Sequence, residues 1–315
     1  MEPQVTDQFE HAVTEAYGLD RFHVTSSGRQ ALKIALDLLE LPQGSYVAHQ
    51  SYVCPAVTDA VMAAGLRPWL VDVDEHWQMS ARTIRRSNPP DLGAIILSPP
   101  FGIAPDVEGL NEWECYKIMD ACQMSPAGIR ALDHESADLL VTSFHPTKYI
   151  PAFGGGIASL NKSYDARLEV LSSMERDFAP YPSLYAALGI LQLENLDEIE
   201  FRRDWLSRRM YAAYPQVFEP IMQACGGQPA RLMRFPARLA KPQAKRVIER
   251  LNSEGIAARH GVDTLIHRLI GLHDEFFPNS CRLFDHILSL PFHPSLNNAE
   301  QDRVVAAVHS LKEAV

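Results

Sequence analysis

One lysine, Lys148, lies in the stretch TSFHPTKYIPAFGGG, which covers residues 142–156. Pro146 and Pro151 disfavour helix on either side of it, and the three glycines at the end allow the backbone to pack closely. Most lysines are solvated surface charges. A primary amine that is held in place beside a ligand can instead form a Schiff base with an aldehyde. The stretch therefore predicts covalent lysine chemistry, provided that other groups lie beside Lys148.

A carboxylate and a small-residue turn are the candidates for those groups. Asp120 stands at the C-terminal end of a predicted buried strand, which is the edge where open α/β sheets bind ligands. It either caps a turn or helix, or it pairs with a cationic ring nitrogen of a cofactor. Ser27 and Gly28 lie where a strand passes into a helix, and free amides there attract a phosphate unless Ser27 is only a helix cap. The turn matches neither GxGxxG nor the P-loop motif. An amine, a carboxylate and a phosphate site together favour pyridoxal 5'-phosphate as the cofactor.

The elements that must position these residues are short apolar runs between helical segments. The predicted strands cover residues 22–25, 45–48, 68–73, 94–97, 116–119 and 139–144. Helical spacing of apolar residues predicts helices over 6–17 and 29–40. Strands that alternate with helices indicate a mainly parallel sheet that is covered on both faces, in an α/β domain.

The C-terminal part has a different pattern. One long helix is predicted over 183–213, and then a strand over 230–235, a helix over 242–254, a strand over 287–290 and a helix over 298–313. This order predicts a small α+β domain. We therefore expect a large cofactor-binding domain with the N-terminal helix over residues 1–205 and a small C-terminal domain over 206–315.

Composition excludes several classes of protein. The 315 residues are 46% apolar and 22% charged, as in globular proteins, and the formal net charge of -10 argues against nucleic acid or an anionic membrane as partner. No signal peptide or membrane span is predicted. The five cysteines are scattered and odd in number, which suits free thiols in a reducing cytoplasm: Cys54, Cys115, Cys122, Cys225 and Cys281.

Other reactive side chains give weaker signals. Cys54 and Cys122 stand in no Cys/His arrangement, so we expect buried structural thiols there. Several histidines of the C-terminal part have no metal-ligand spacing, so we expect packing and surface roles and no metal site: His260, His267, His273 and His286.

Taken in order along the chain, the motifs resemble those of a known family. They are SSG at 26–28, PWLVDVD at 68–74, DACQ at 120–123, SFHPTK at 143–148 with its following GGG, LQLENLDE at 191–198 and LSLPFHPSLNNAEQDRVVAAV at 288–308. The sequence is similar to the DegT/DnrJ/EryC1/StrS sugar aminotransferases, which are fold-type-I pyridoxal-phosphate enzymes. The resemblance runs from about residue 20 to the C-terminus, and SFHPTK after DACQ is its most specific part.

The resemblance implies a role for each matching residue. Lys148 would carry the cofactor and then move a proton as general base and acid. Asp120 would keep the pyridine nitrogen protonated, and Gln123 would lie near the phenolic oxygen of the ring. The implied phosphate ligands are the Ser143 side chain and the amides of Ser27, Gly28 and Arg29.

The sequence departs from the family at several of these positions. Arg29 stands where a threonine is usual, and the residue expected to stack on the cofactor ring falls at Cys54, with Tyr52 as a substitute. Gly154 replaces an acidic residue. The Asn-x-Arg-Met stretch, whose asparagine reaches the phosphate in the neighbouring subunit, is replaced by residues 178–181, FAPY.

The predicted function is transfer of an amino group from an amino acid such as glutamate to a keto sugar, expected to be nucleotide-linked, in polysaccharide biosynthesis. A homodimer is expected, because active sites of this family lie between subunits. The expected location is the cytoplasm, as the scattered cysteines indicate. Lys148 argues against the related deoxysugar dehydratases, which carry histidine there. Two alternatives stay open: a pyridoxal-phosphate enzyme of another reaction class acting on a small amino substrate, and a non-catalytic relative with a binding or regulatory role.

Overall fold

The computed structural model describes residues 4–178, 180–213, 215 and 232–310. The first helices and strands alternate: α1 (Val5–Tyr17), β1 (His23–Thr25), α2 (Gly28–Leu38), β2 (Tyr46–Gln50), α3 (Pro55–Ala63), β3 (Arg67–Val71), α4 (Ala81–Arg86), β4 (Leu92–Leu97), β5 (Tyr116–Asp120), α5 (Pro126–Arg130), β6 (Leu139–Ser143) and β7 (Gly155–Ser159). The rest is mainly helical: α6 (Asp165–Phe178), α7 (Ser183–Glu194), α8 (Leu196–Ala213), β8 (Phe235–Arg238), α9 (Ala244–Ser253), α10 (Ile266–Leu269), α11 (Pro278–His286), β9 (Ile287–Leu290) and α12 (Asn298–Ser310).

Strands β1 to β7 form one sheet in the order β1-β7-β6-β5-β4-β2-β3. β7 pairs antiparallel with β1 and β6, and the other pairings are parallel. Alternate residues of a strand point to opposite faces. Ile95 and Met119 accordingly pack with α1, while Ile96 and Ile118 pack with α2. The predicted α/β fold with a mainly parallel sheet covered on both faces is confirmed.

Strand β7, which begins with Gly155 and Gly156, is absent from the strands predicted from the sequence. Gly155 pairs with Thr25 on one side and Ser143 on the other. A Cβ atom on Gly155 would overlap the backbone nitrogen of Gly28 at the start of α2. The glycine is therefore required for a close approach of two backbones. It brings β7 against the first turn of α2.

The C-terminal part differs in two places from the predicted elements. The helix predicted over 183–213 ends at Glu194, and α8 begins at Leu196, so two helices replace one. The strand predicted over 230–235 begins at Phe235 in β8; residues 230 and 231 lie outside the described ranges. The predicted domain boundary between residues 205 and 206 falls inside α8.

Strands β8 and β9 form a separate antiparallel pair. Its core includes Phe235, Leu288 and Leu251 of α9, and it continues into Tyr52 and Phe101, which follow strands of the large sheet. Each such buried side chain contributes about 1.5–3 kcal/mol. No helix in the described part of the chain combines the length and apolar character needed to span a bilayer.

Candidate active site

Three neighbouring parallel strands, β4, β5 and β6, end at the same edge of the sheet. Leu97 pairs with Met119, and Asp120 pairs with Val141. The residues that end or follow these strands must therefore lie side by side. They include Asp120 and Ser143, which are predicted site residues, and Ser98, which is not.

Asp120 is buried and is oriented by two donors. The Ser98 hydroxyl donates to Oδ2 at 2.9 Å, and the backbone N–H of Cys122 donates to Oδ1 at 3.2 Å. Ser98 belongs to no motif; its position directly after a buried strand was the one signal in the sequence. The carboxylate is thus held in a defined direction at the edge where α/β sheets bind ligands.

The start of α2 lies beside the end of β6. The Ser27 side chain accepts a hydrogen bond from the Gln30 amide at 3.2 Å, so it does cap the helix. A Cβ atom on Gly28 would lie 2.9 Å from Cβ of Ser143 and 3.3 Å from Sγ of Cys122. The first amides of a helix have no acceptor within it. They form, with the Ser143 hydroxyl, a narrow group of hydrogen-bond donors suited to a phosphate.

The Arg29 side chain does not contribute to this group. Its guanidinium lies 3.2 Å from the Asp59 carboxylate of α3, and both side chains are exposed. The backbone N–H of Arg29 therefore remains as its donor for a phosphate. The sequence left the direction of this guanidinium open, and the ion pair with Asp59 accounts for it.

Lys148 lies half-buried in the turn after β6, where its backbone N–H donates to the His145 carbonyl at 2.8 Å. The charges of Lys148 and Asp120 both act on the thiol of Cys122. Burial and the Asp120 charge raise the pKa of Cys122, and the Lys148 charge lowers it. Both the Lys148 amine and the Asp120 carboxylate are therefore close enough for their charges to act on Cys122. A thiol with a raised pKa stays neutral, which argues against Cys122 as a nucleophile.

Gln123 and Tyr52 both contact Phe101. Gln123 Oε1 accepts a hydrogen bond from the Phe101 amide at 2.9 Å, which turns its NH₂ group the other way. Tyr52 is 1% exposed and packs on the Phe101 ring, with 6.4 Å between centroids. A ring buried in this core is not free to cover a cofactor. Cys54, by contrast, is exposed at the start of α3, so its prediction as a buried thiol was wrong.

Two departures from the family pattern prove to be in contact. A Cβ atom on Gly154 would overlap the Tyr181 ring and lie 2.9 Å from the Thr25 carbonyl oxygen. The Tyr181 hydroxyl donates to the Ala152 carbonyl. Tyr181 of the FAPY stretch therefore fills the space beside Gly154, the position at which the family resemblance implies an acidic residue. Of that stretch, residue 179 and the Phe178 side chain lie outside what the structure describes.

A cluster of His267, Asp274 and Cys281 was not expected from their spacing. Their ligand atoms lie within 4.8 Å of one another, and the His267 ring is fully buried. His267 bonds to Ser51 Oγ at 2.6 Å and to Asp274 Oδ1 at 2.9 Å. Arg268 forms a bidentate pair with Asp274. The His267–Ser51 bond links the end of β2 to the C-terminal part. Because the Arg268 guanidinium already neutralises the Asp274 carboxylate, the cluster is poorly suited to bind a cation.

A mainly parallel sheet with a lysine and a carboxylate at its carboxyl edge agrees with the predicted fold-type-I class. The DegT/DnrJ/EryC1/StrS aminotransferase family matches residues 3–177 and 181–309, and the chain belongs to this family. The predicted family and the predicted class of enzyme, an aminotransferase, are both confirmed.

Individual relatives match along nearly the whole chain. The chain is 25% identical over 337 residues to dTDP-3-amino-3,4,6-trideoxy-alpha-D-glucose transaminase of Micromonospora megalomicea subsp. nigra, covering 98% of the chain and 90% of that protein. It is 25% identical over 355 residues to 3-oxo-glucose-6-phosphate:glutamate aminotransferase of Bacillus subtilis (strain 168), covering 98% and 76%. The PMP-form of a putative sugar aminotransferase from Streptococcus pneumoniae has a TM-score of 0.83 at 16% identity and covers 99% of this chain and 91% of that one.

Proposed function

We propose that the protein is a pyridoxal-phosphate-dependent aminotransferase that moves an amino group from an amino acid such as glutamate to a keto sugar. The observation that carries this is the meeting of Lys148, Asp120 and the start of α2 at one edge of the sheet. The names of the two relatives support the substrate class, since one is a dTDP-sugar transaminase and the other a sugar-phosphate:glutamate aminotransferase. A nucleotide-linked keto sugar is the proposed acceptor.

The residues present fit the cofactor. When bound, pyridoxal phosphate supplies an electron sink for negative charge at the substrate carbon. The amides of Gly28 and Arg29, with the Ser143 hydroxyl, would bind its phosphate, and Ser27 would keep the helix start in place as the cap. Asp120 would hold a proton on the ring nitrogen, because a carboxylate stabilises the pyridinium.

Lys148 would hold the aldehyde carbon covalently and, after release, move a proton at the substrate carbon, first as base and then as acid. Gln123 would donate its NH₂ group to the phenolic oxygen, since its carbonyl oxygen is already bonded to Phe101. Cys54 would lie beside the ring, where its small side chain covers less of it than an aromatic residue would.

The test is reconstitution with pyridoxal phosphate, followed by visible absorbance. We expect a band that Lys148→Ala abolishes and that the control Lys162→Ala retains, because Lys162 is an exposed lysine 3.8 Å from Asp20. Addition of glutamate should then bleach this band as the amino group is transferred. A chain without a lysine-dependent band would be a non-catalytic relative; a band that no amino donor bleaches would indicate another reaction class.

A homodimer is proposed from an exposed apolar surface next to the site. Phe153, five residues after Lys148, is 48% exposed and stacks on Tyr185 at 5.0 Å. On α7, Leu184 and Leu191 are 68% and 55% exposed. Exposed apolar side chains of this kind favour association. Light scattering should give a dimer, and Leu184→Glu should give monomers; a monomeric parent protein would contradict the proposal.

A cytoplasmic location is also proposed. The described cysteines Cys54, Cys115, Cys122 and Cys281 are free thiols. Free thiols persist in a reducing compartment. Cell fractionation with the protein in the soluble cytoplasmic fraction is the expected result.

A further inference from the structure

Two arginines that the proposed chemistry does not use, Arg234 and Arg259, are brought together by the small sheet. Arg234 directly precedes β8, and Arg259 forms an antiparallel bridge with Ser289 of β9. The Arg259 amide donates to the Ser289 carbonyl at 3.1 Å, and the Ser289 amide donates back at 2.7 Å. Pro236 of β8 pairs with the other side of Ser289. The two arginines therefore extend from flanking segments of the same sheet.

Arg234 is connected through a series of contacts to Gln123, which follows Asp120 at the edge of the large sheet. Arg234 Nη1 donates to the Gly261 carbonyl at 3.2 Å. A Cβ atom on Gly261 would lie 2.5 Å from the Phe101 ring and would overlap the Tyr52 hydroxyl. Phe101 in turn bonds to Gln123. A short chain of contacts thus connects the Arg234 guanidinium to the proposed cofactor site.

The charges of the pair are incompletely balanced. Burial and the neighbouring Arg259 lower the pKa of Arg234, while Asp263, Tyr52 and Cys54 act in the opposite direction. Within the described ranges neither guanidinium has a carboxylate within ion-pair distance, and Arg259 is exposed. Two like charges held close together are stabilised by a shared anion. The guanidinium fork also matches the oxygens of a phosphate.

We propose that Arg234 and Arg259 form the subsite for the phosphate or diphosphate group of the keto-sugar substrate. The proposal rests on the aminotransferase function above and adds the residues that select a phosphorylated acceptor. A group with two negative charges fits a pair of guanidinium groups better than the single charge of an amino-acid carboxylate. The sugar end of such a substrate would extend toward Lys148.

The test uses the full chain loaded with pyridoxal phosphate, so that the donors at α2 and Ser143 are occupied. Inorganic pyrophosphate is the probe, and its binding is measured by calorimetry at two salt concentrations. Arg234→Gln and Arg259→Gln should each weaken binding about tenfold or more, as expected for loss of a charge-assisted hydrogen bond. The matched control Arg238→Gln, an exposed arginine at the end of β8, should bind like the parent protein.

The outcomes separate failure of the phosphate subsite from failure of the proposed aminotransferase function. If the parent protein shows its lysine-dependent band but does not bind pyrophosphate, or if Arg238→Gln loses as much affinity as the other two, the subsite is wrong. If Arg234→Gln and Arg259→Gln instead slow bleaching by glutamate, the pair binds the donor carboxylate, which also overturns it. Absence of the band refutes the proposed function itself. Arg259 is exposed, so its variant gives the answer even if Arg234→Gln fails to fold.

Discussion

Removal of the Ser98 hydroxyl tests whether Asp120 is positioned to hold a cofactor. The hydroxyl donates to Asp120 Oδ2 at 2.9 Å, and both side chains are buried. A hydrogen bond to a charged group contributes about 1.5–3 kcal/mol. In Ser98→Ala, Asp120 keeps the Cys122 amide as a donor but is free to turn. Since about 1.4 kcal/mol corresponds to a factor of ten, we expect cofactor affinity to fall roughly 10- to 100-fold.

The assay is titration of cofactor-free protein with pyridoxal phosphate, followed by absorbance and by the rate of bleaching with glutamate. Ser280→Ala is the matched control, because Ser280 is also fully buried and donates to a carboxylate, Asp72 Oδ1, at 2.7 Å. It should lower the free energy of unfolding but leave cofactor affinity unchanged. If Ser98→Ala binds the cofactor within twofold of the parent protein, Asp120 does not act through this orientation.

Three further predictions follow from the same contacts. Gly155→Ala should destabilise the fold by several kcal/mol, about 3–5, and abolish cofactor binding, because its methyl group overlaps the Gly28 nitrogen. Arg29→Gln should change cofactor affinity less than twofold, since its guanidinium pairs with Asp59 in an exposed ion pair. Burial lowers the pKa of His49 to about 4, against the weaker effect of the Gln50 carbonyl. The unfolded chain then binds more protons below about pH 6.5. The contribution of the neutral His49 to the free energy of unfolding is therefore fully present above that pH and falls by about 2–3 kcal/mol toward pH 4.5.

Measurements of unfolding by urea decide the first and last of these, and cofactor titration decides the second. For His49, the pH-dependent loss should be absent in His49→Gln; equal slopes in both proteins would contradict a neutral buried imidazole. A stable Gly155→Ala chain would show that β7 can move away from α2. A tenfold loss of affinity in Arg29→Gln would place its guanidinium on the phosphate after all.

The strands that carry the site were predictable because they are buried on both faces and therefore read as short apolar runs. β7 was not, because a segment that begins with two glycines lacks the apolar run that marks the other strands. Gly155 is required by its contact with Gly28, which is 127 positions earlier in the chain. No pattern within a short window contains that information.

The candidate site divides in the same way. Lys148 and Asp120 stand out through their neighbours in sequence, whereas Ser98 becomes significant only when β4 is seen next to β5. The direction of the Arg29 side chain depends on Asp59 of another helix. The replacement of an acid by Gly154 is explained by the Tyr181 ring, which fills that space.

The sequence by itself determined the family, the order of the elements and the residue types that suit pyridoxal phosphate, because apolar runs and the SFHPTK and DACQ motifs are local. The tertiary structure alone decided which side chains share a space. Strand pairing aligned Ser98 with Asp120, and the small sheet brought the segments that carry Arg234 and Arg259 to either side of Ser289. Hydrogen bonds and charge interactions act over a few ångströms in space, whatever the separation along the chain, so only the folded chain reveals them.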